Sequence, residues 1–332
     1  MHLTPVERET LTQLQRGIAL AASPFLHYPL PEVDVVRLLR RAQAEGVIRR
    51  FGGVFDSRRL GYRSMLCGVA VKEEHLEASA AVICQHPGVT HCYERRPVAG
   101  GQAYPLLWFT IAMPEADFDA GLEALQMQIP ASEIFRLPAL QRFKIDVVFD
   151  LRNAGADEAS GSSSTKLQGD DPGSVLLTKQ EQLLVRLLGG SLPVAEQPFQ
   201  LVAEQIGMAV PDLLDTLRRW SQQGILRRVA PILFHREAGF IANGMCVWPV
   251  AGDVAVPGAC VAARPEVTHC YQRTRVPGFA FDLFAMIHAG SEEALRGMFA
   301  AISTACSLAD GALLLSTREF KKSSMQYFEE RT

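Results

Sequence analysis

The sequence predicts an α+β chain of two tandem units, each a winged helix-turn-helix followed by a ferredoxin-like β-α-β-β-α-β domain. Three observations predict it. Thr-His-Cys-Tyr occurs twice, within Val89-Thr90-His91-Cys92-Tyr93-Glu94-Arg95 and Val267-Thr268-His269-Cys270-Tyr271-Gln272-Arg273. Gly46-Val47-Ile48-Arg49-Arg50 returns as Gly224-Ile225-Leu226-Arg227-Arg228 at the same offset of 178 residues. Between Arg152 and Ser174 lies a Gly/Ser/Asp-rich stretch with almost nothing to bury, the composition of a flexible linker.

The second unit has the clearer pattern. Apolar periodicity and terminal Gly and Pro signals predict helices over Lys179 to Leu188, Phe199 to Ile206 and Pro211 to Gln223, then a wing strand over Ile225 to Phe234. Next come a strand at Asn243 to Val250, a helix around Gly258 to Ala263, the motif strand Val267 to Arg273, and a strand at Phe279 to Ala289. A helix at Glu292 to Ala305 and a strand at Ala312 to Arg318 complete the β-α-β-β-α-β order. In the first unit the same order reads Met65 to Val71, Glu73 to His86, Val89 to Arg95, Tyr104 to Met113, Glu115 to Met127 and Phe143 to Leu151. Leu3-Thr4 echoes Leu177-Thr178 and Pro24-Phe25 echoes Pro198-Phe199, both at an offset of 174, so the first unit lacks four residues between Phe25 and Gly46. Pro29 and Pro31 interrupt that segment, which predicts a degraded first helix-turn-helix without its second helix. The expected domains are 1–62, 63–151, a linker over 152–174, 175–240 and 241–332.

Hydrophobic residues make up 48% of the 332, enough for real cores, and a net charge of −3 with a pI near 6.3 offers no general attraction to nucleic acid or anionic lipid. Any anion site must be local. The seven cysteines Cys67, Cys84, Cys92, Cys246, Cys260, Cys270 and Cys306 show no Cys-x-x-Cys spacing, which predicts reduced thiols and no protein-bound metal. The N-terminus has no apolar h-region and no stretch approaches the roughly 18 apolar residues of a membrane span, so a cytoplasmic protein with no membrane partner is expected.

The repeated motif carries the chemistry. On a strand, alternate side chains share a face, which groups His91, Tyr93 and Arg95, and likewise His269, Tyr271 and Arg273. A core tolerates swaps among apolar residues, so packing gives no reason to keep His, Tyr and Arg in register twice. The plain alternative is a half-buried strand whose histidine is hydrogen-bonded and whose arginine reaches solvent. Arginine's fork suits carboxylates, and Arg49, Arg50, Arg227 and Arg228 recur at equivalent places; each pair reads equally as a solvated wing. His75 and His86 read as surface residues, His235 has no partner in the repeat, and His27 sits in the degraded segment, where it could line a pocket opened by the lost helix.

A winged helix-turn-helix, Gly-Val-Ile-Arg-Arg-Phe and a ferredoxin-like domain together resemble the Lrp/AsnC regulators. The His-x-Tyr-x-Arg strand, with Ile48-Arg49-Arg50-Phe51-Gly52 and Leu283-Phe284-Ala285-Met286-Ile287-His288, resembles the siroheme decarboxylases of that superfamily, in a form with two subunits fused. The resemblance implies two units packed as an intramolecular pseudo-dimer that removes the carboxyl groups of two acetates of siroheme, giving didecarboxysiroheme. It implies siroheme or a related iron tetrapyrrole as the partner and no cofactor, the iron being carried by the substrate. His91, His269 and His288 are then site histidines, with His91 or His269 an axial ligand of the substrate iron or a proton donor, and His288 a second histidine in the C-terminal site. Tyr93 and Tyr271 orient a histidine or bond a carboxylate, and Arg49, Arg50, Arg95, Arg227, Arg228 and Arg273 hold carboxylates. A homologous subunit or a homodimer stays open.

Two departures stand out. Phe281-Asp282-Leu283 replaces the family's Tyr-Asn-Leu, and Tyr104-Pro105-Leu106-Leu107-Trp108 is further removed; His288 has Met113 as its nearest first-unit counterpart, at an offset of 175. The alternatives are a DNA-binding regulator and a non-catalytic heme sensor. Asp212 and Asp215 in the first turns of the third helix oppose DNA binding, where a recognition helix presents donors.

Overall fold

The computed structural model describes residues 3–98, 106–130, 133–145, 173–233 and 242–329. Residues 152–172 of the linker expected over 152–174, Tyr104, Pro105, His235 and the expected strand beyond Ile145 lie outside the described residues. In chain order the first unit runs α1 (Pro5–Leu14), α2 (Glu32–Ala44), β1 (Ile48–Phe55), β2 (Tyr62–Val69), α3 (Leu76–Gln85), β3 (Val89–Pro97), β4 (Leu107–Pro114), α4 (Phe118–Gln128), β5 (Ile134–Leu137) and β6 (Ala139–Ile145). The second runs α5 (Lys179–Gly189), α6 (Pro198–Ile206), α7 (Val210–Gln222), β7 (Leu226–Leu233), β8 (Ala242–Trp248), α8 (Ala255–Ala263), β9 (Val267–Arg273), β10 (Leu283–Ala289), α9 (Glu292–Ala305) and β11 (Ala312–Lys322).

Local chemistry explains the repeated helix ends. Thr4 and Thr178 each close a capping box with the Glu three residues on, Glu7 and Glu181, satisfying two orphan donors at the start of α1 and α5. Gly46 and Gly224 sit at φ +73° and +70°, the left-handed conformation that stops α2 and α7 and turns the chain into its wing. No helix forms between Leu14 and Glu32, so α6 has no first-unit equivalent.

The two helical parts share one core, in which Leu11, Leu14 and Phe25 pack with Leu184, Leu188 and Trp220. Above it β1 and β7 pair antiparallel, with Phe51 opposite Pro231 and Gly52 opposite Ala230. Arg50 crosses to the other unit, its Nη1 donating to Gly189 O at 2.6 Å and to Gly53 O at 3.0 Å, and so caps the end of α5. Gly52 lies so close that a Cβ there would fall 2.4 Å from Leu188 O.

The remaining strands form one sheet of order β5-β2-β4-β3-β11-β8-β10-β9-β6. Helices α3 and α4 cover the first unit's outer face with Val89, Cys92 and Phe109; α8 and α9 cover the second with Val267, Cys270 and Ala285. The opposite faces meet in a third cluster, where Trp108 and Leu137 pack on Met245, Phe279, Phe284 and Leu314. Trp108 meets Phe279 edge-on at 5.2 Å between ring centroids, and burying each such side chain contributes about 1.5–3 kcal/mol.

Strand exchange joins the units. The distal part of β11 leaves β8 and pairs with β3, while β6 pairs with β9. Two short strands, β5 and β6, thus come before residue 146; the strand expected over Phe143 to Leu151 overlaps β6 only at its start, and its remainder lies outside the described residues. Pro138, which has no N–H to donate, ends pairing with β2, and the chain crosses to the other motif strand. The last strand runs to Lys322 rather than Arg318 because its end pairs with β3. The strand expected from Phe279 starts at Leu283, after a turn closed by the Val276–Phe279 bridge.

The expectation that all cysteines are reduced is corrected as well. Cys260 of α8 and Cys306, just after α9, form a disulfide, because the two helices lie side by side on one sheet face; Cys67, Cys84, Cys92, Cys246 and Cys270 are free. From the close approach at Gly52, Gly52→Ala is expected to destabilise the protein by about 1–3 kcal/mol through overpacking. Urea unfolding measures this, and an unchanged midpoint would show that the wing does not press on α5.

Candidate functional site

Each motif strand builds a stack along the sheet face opposite the helices. The rings of His91 and Tyr93 lie 6.2 Å apart at 25° between planes, and those of His269 and Tyr271 6.3 Å apart at 18°. Arg95 Cζ lies 5.2 Å from the Tyr93 ring centroid and Arg273 Cζ 4.8 Å from that of Tyr271. Sequence alternation thus becomes imidazole, phenol and guanidinium in a row, twice.

The threonine before each histidine fixes its tautomer. Thr268 Oγ1 donates to Met286 O at 3.2 Å and lies 3.1 Å from His269 Nδ1. A hydroxyl has one proton to give, so toward the ring it accepts, and Nδ1 carries the hydrogen. Thr90 repeats this with Thr110 O at 3.4 Å and His91 Nδ1 at 2.9 Å. In both copies the network therefore assigns the free lone pair to Nε2.

Electrostatics keep both rings neutral. Burial, then the charges of Arg49, Lys322, His269 and Arg95, pull His91 down to about 3. Burial, Arg273 and Arg227 pull His269 down to about 4. Burial raises the phenols of Tyr93 and Tyr271, so both stay protonated at neutral pH. All four rings retain partial solvent exposure. They are desolvated yet reachable.

The arginines divide by strand face. Arg49 faces the first motif, where it is the largest charge effect on His91. Its Nε and Nη1 are buried and donate to nothing among the described residues, an arrangement that costs about 1–3 kcal/mol and suits an incoming anion. Arg227 stands near His269 and Tyr271 and bonds Asp56 at 2.8 Å. Arg95 donates to Asn243 Oδ1 at 3.3 Å and Leu314 O at 3.4 Å, and Arg273 to Leu137 O at 2.7 Å. Burial lowers both to about 10, leaving them charged at neutral pH.

Arg50 and Arg228 do not join them. As the next residues on their strands they face the other way, Arg50 into the end of α5 and Arg228 with its Cβ beside Gly17. His288 shares a strand face with Met286, which stands opposite His269, and itself stands opposite Asn243, the acceptor for Arg95. It thus lies between the two motifs. Register gives Trp108 and Phe284 as the partners of the motif tyrosines, so the first-unit counterpart of His288 is Ala112, not Met113. His86 is structural, its Nδ1 accepting from Gly88 N at 3.1 Å.

Four residues near the motifs escaped the sequence reading. Thr90 and Thr268 lay in plain view inside the repeated tetrapeptide. Glu319 stands opposite Tyr93 and Arg142 opposite Tyr271, each on the strand delivered by the other unit. Their signal is Gln141-Arg142-Phe143-Lys144 against Arg318-Glu319-Phe320-Lys321, a weak repeat at an offset of 177. No group of three or more His, Cys, Asp or Glu among the described residues is arranged to hold a metal ion, and no helix among them is long and apolar enough to cross a membrane.

Comparison with known proteins accords with this architecture. The profile of the AsnC-like ligand binding domain matches residues 59–144 and 237–321, and that of the siroheme decarboxylase NirDL-like HTH domain matches 181–227. The siroheme decarboxylase of Hydrogenobacter thermophilus is 33% identical over 324 residues, covering 96% of this chain and 93% of that one. The siroheme decarboxylase NirDL subunit of Paracoccus pantotrophus is 30% identical over 304 residues, 88% of this chain and 87% of that one. A crystal structure of the siroheme decarboxylase NirDL superposes with a TM-score of 0.73 at 28% identity, over 98% of this chain and 95% of the other; the same enzyme with an iron-uroporphyrin III analogue gives 0.70. With both units, their order and the duplicated motif domain matched from end to end, the chain belongs to the siroheme decarboxylase family.

Proposed function

We propose that the protein is a carboxy-lyase that removes the carboxyl groups of two acetates of siroheme, giving didecarboxysiroheme. The observation that carries this reading is the pair of neutral imidazoles, each with an Nε2 lone pair, set among arginines of which Arg95 is buried and Arg49 and Arg273 half-buried. A planar iron macrocycle ringed by carboxylates asks for that combination. Arg49, Arg95, Arg227 and Arg273 are assigned to carboxylates, while Arg50 and Arg228 face elsewhere. His91 or His269 is assigned to the substrate iron through Nε2, with His288 a second histidine on the strand beside the second motif.

Each carbon–carbon bond breaks to release CO2, and the electron pair is delocalised into the macrocycle. A proton then completes the methyl group, so two acetates consume two protons and release two CO2, with no oxidant and no further cofactor. Tyr93 and Tyr271, held protonated by burial, are the proton sources we assign. The low values of His91 and His269 make histidinium a poor candidate for this task before substrate binds. We place the enzyme in the cytoplasm, acting alone, as a homodimer or with a homologous subunit. A DNA-reading role is disfavoured by α7, where Arg218 is held by Asp215 at 2.8 Å and Leu20 O at 2.9 Å.

Anaerobic incubation with siroheme, followed by mass spectrometry, tests the proposal: loss of two CO2 supports it and unchanged siroheme overturns it. At least one of His91→Ala and His269→Ala is expected to lower turnover by about a hundredfold or more; full activity in both removes the histidines from the site.

Thr268→Val leaves the ring in place and removes its tautomer control. Weaker ligation to iron uroporphyrin is expected, read as a shifted Soret band and an affinity lower by about tenfold, whereas wild-type spectra and affinity would break the argument from the hydroxyl.

The pH dependence has a definite sign. Unfolded histidine takes up a proton near pH 6.5, but folded His269 does so only near 4 and His91 near 3. Stability without substrate should therefore fall as pH drops from about 6.5 toward 4. Thermal melts should show this slope, flattened when both histidines are replaced by Phe.

A further inference from the structure

The exchanged strands make the two motif sites chemically unequal. Both cross in the same way: Phe143 packs into the second unit's helix-side core and Phe320 into the first's. Lys144 Nζ donates to Arg264 O at 2.8 Å after α8, and Lys321 Nζ to Cys84 O at 2.7 Å and His86 O at 3.1 Å after α3. Both strands carry a register shift at this point. The residue before the shift faces the motif tyrosine in each, and there the equivalence ends.

Opposite Tyr93 stands Glu319, whose carboxylate helps hold the phenol protonated and also lies near Arg49. Opposite Tyr271 stands Arg142, desolvated and without a hydrogen bond or ion pair among the described residues. The first site also has Lys322 opposite His91, where the second has Ile145 opposite His269. Arg95 and Arg273 are equivalent, and Arg227 is balanced by Asp56, which also holds Arg58. A carboxylate approaching Arg49 must compete with Glu319; near Arg142 the resident anion is Asp56, which forms no ion pair with Arg142 and is already engaged by Arg227 and Arg58.

We propose that Arg142 and Glu319 are specificity determinants delivered across the pseudo-twofold: the site around His269 takes the tetrapyrrole with its full set of carboxylates, and Glu319 disfavours that ligand at the site around His91. This rests on the reading of the protein as a tetrapyrrole enzyme and adds which half binds. Arg142 contributes a carboxylate fork to the favoured site, and Glu319 occupies the corresponding arginine's attention in the other.

Titration of the full chain with iron uroporphyrin III, followed at the Soret band, tests it. The wild type should take up one tight equivalent, abolished by His269→Ala and retained by His91→Ala. Arg142→Glu should weaken that equivalent by about tenfold or more, as loss of a charge-assisted carboxylate contact does. The near-isosteric Glu319→Gln, which disturbs packing least, should strengthen binding of a second equivalent. The inference is overturned if tight binding depends on His91 and not His269, or if Arg142→Glu and Glu319→Gln both bind as the wild type does. Failure of the wild type to bind iron uroporphyrin at all would overturn the underlying reading too, so the two failures are distinct.

Discussion

The reciprocal pairing of β11 with β3 and of β6 with β9 is the constraint on which the rest depends. In an isolated unit β3 and β9 would be edge strands, with a row of unpaired N–H and C=O groups beside the motif. Such edges invite uncontrolled association. Exchange satisfies those groups, holds the inner faces of the two sheets together, and brings each unit's last strand alongside the other's histidine. Packing of Trp108 on Phe279 then follows from the same closure.

That closure also explains the electrostatics. A strand with both neighbours in place presents its side chains from a desolvated surface, and desolvation is the leading cause of the shifts at His91, His269, Arg95 and Arg273. Guanidinium groups held there are stabilised by carbonyls and rings rather than by carboxylates. The protein keeps them charged at the expense of stability, which is the usual signature of a surface prepared for an anion. Capping boxes close the starts of α1 and α5, whereas Arg49 beside the first motif keeps buried donors without an acceptor among the described residues.

The element order and the motif face were legible in the sequence because both depend on local periodicity and on a repeat. Alternation along β3 and β9 needs no knowledge of neighbours. Alternation applied equally to Arg49 and Arg50 would have separated them, and the structure does so. What stayed hidden depends on partners: the pattern of β6 does not name the strand it joins, and Cys260 with Cys306 requires knowing that α8 and α9 are neighbours. The counterpart of His288 slipped by one residue because the two units differ in length between β3 and β4, and only the ladder restores the register.

Fusion of the units gives the asymmetry a physical logic. In a symmetric dimer of identical chains, any residue on an exchanged strand appears in both sites, so a change that improves one alters the other identically. A single chain removes that coupling. Arg142 and Glu319 then diverge while Lys144 and Lys321 keep the same anchoring bonds, because the lysines hold the strand exchange itself and the residues facing the tyrosines do not. The loss of a helix between Leu14 and Glu32 belongs to the same freedom, since the shared helical core is completed by the second unit's α5, α6 and α7. The Thr-His-Tyr-Arg face is retained in both copies, which places the constraint on the chemistry of the motif strand and the latitude on what the other unit brings to it.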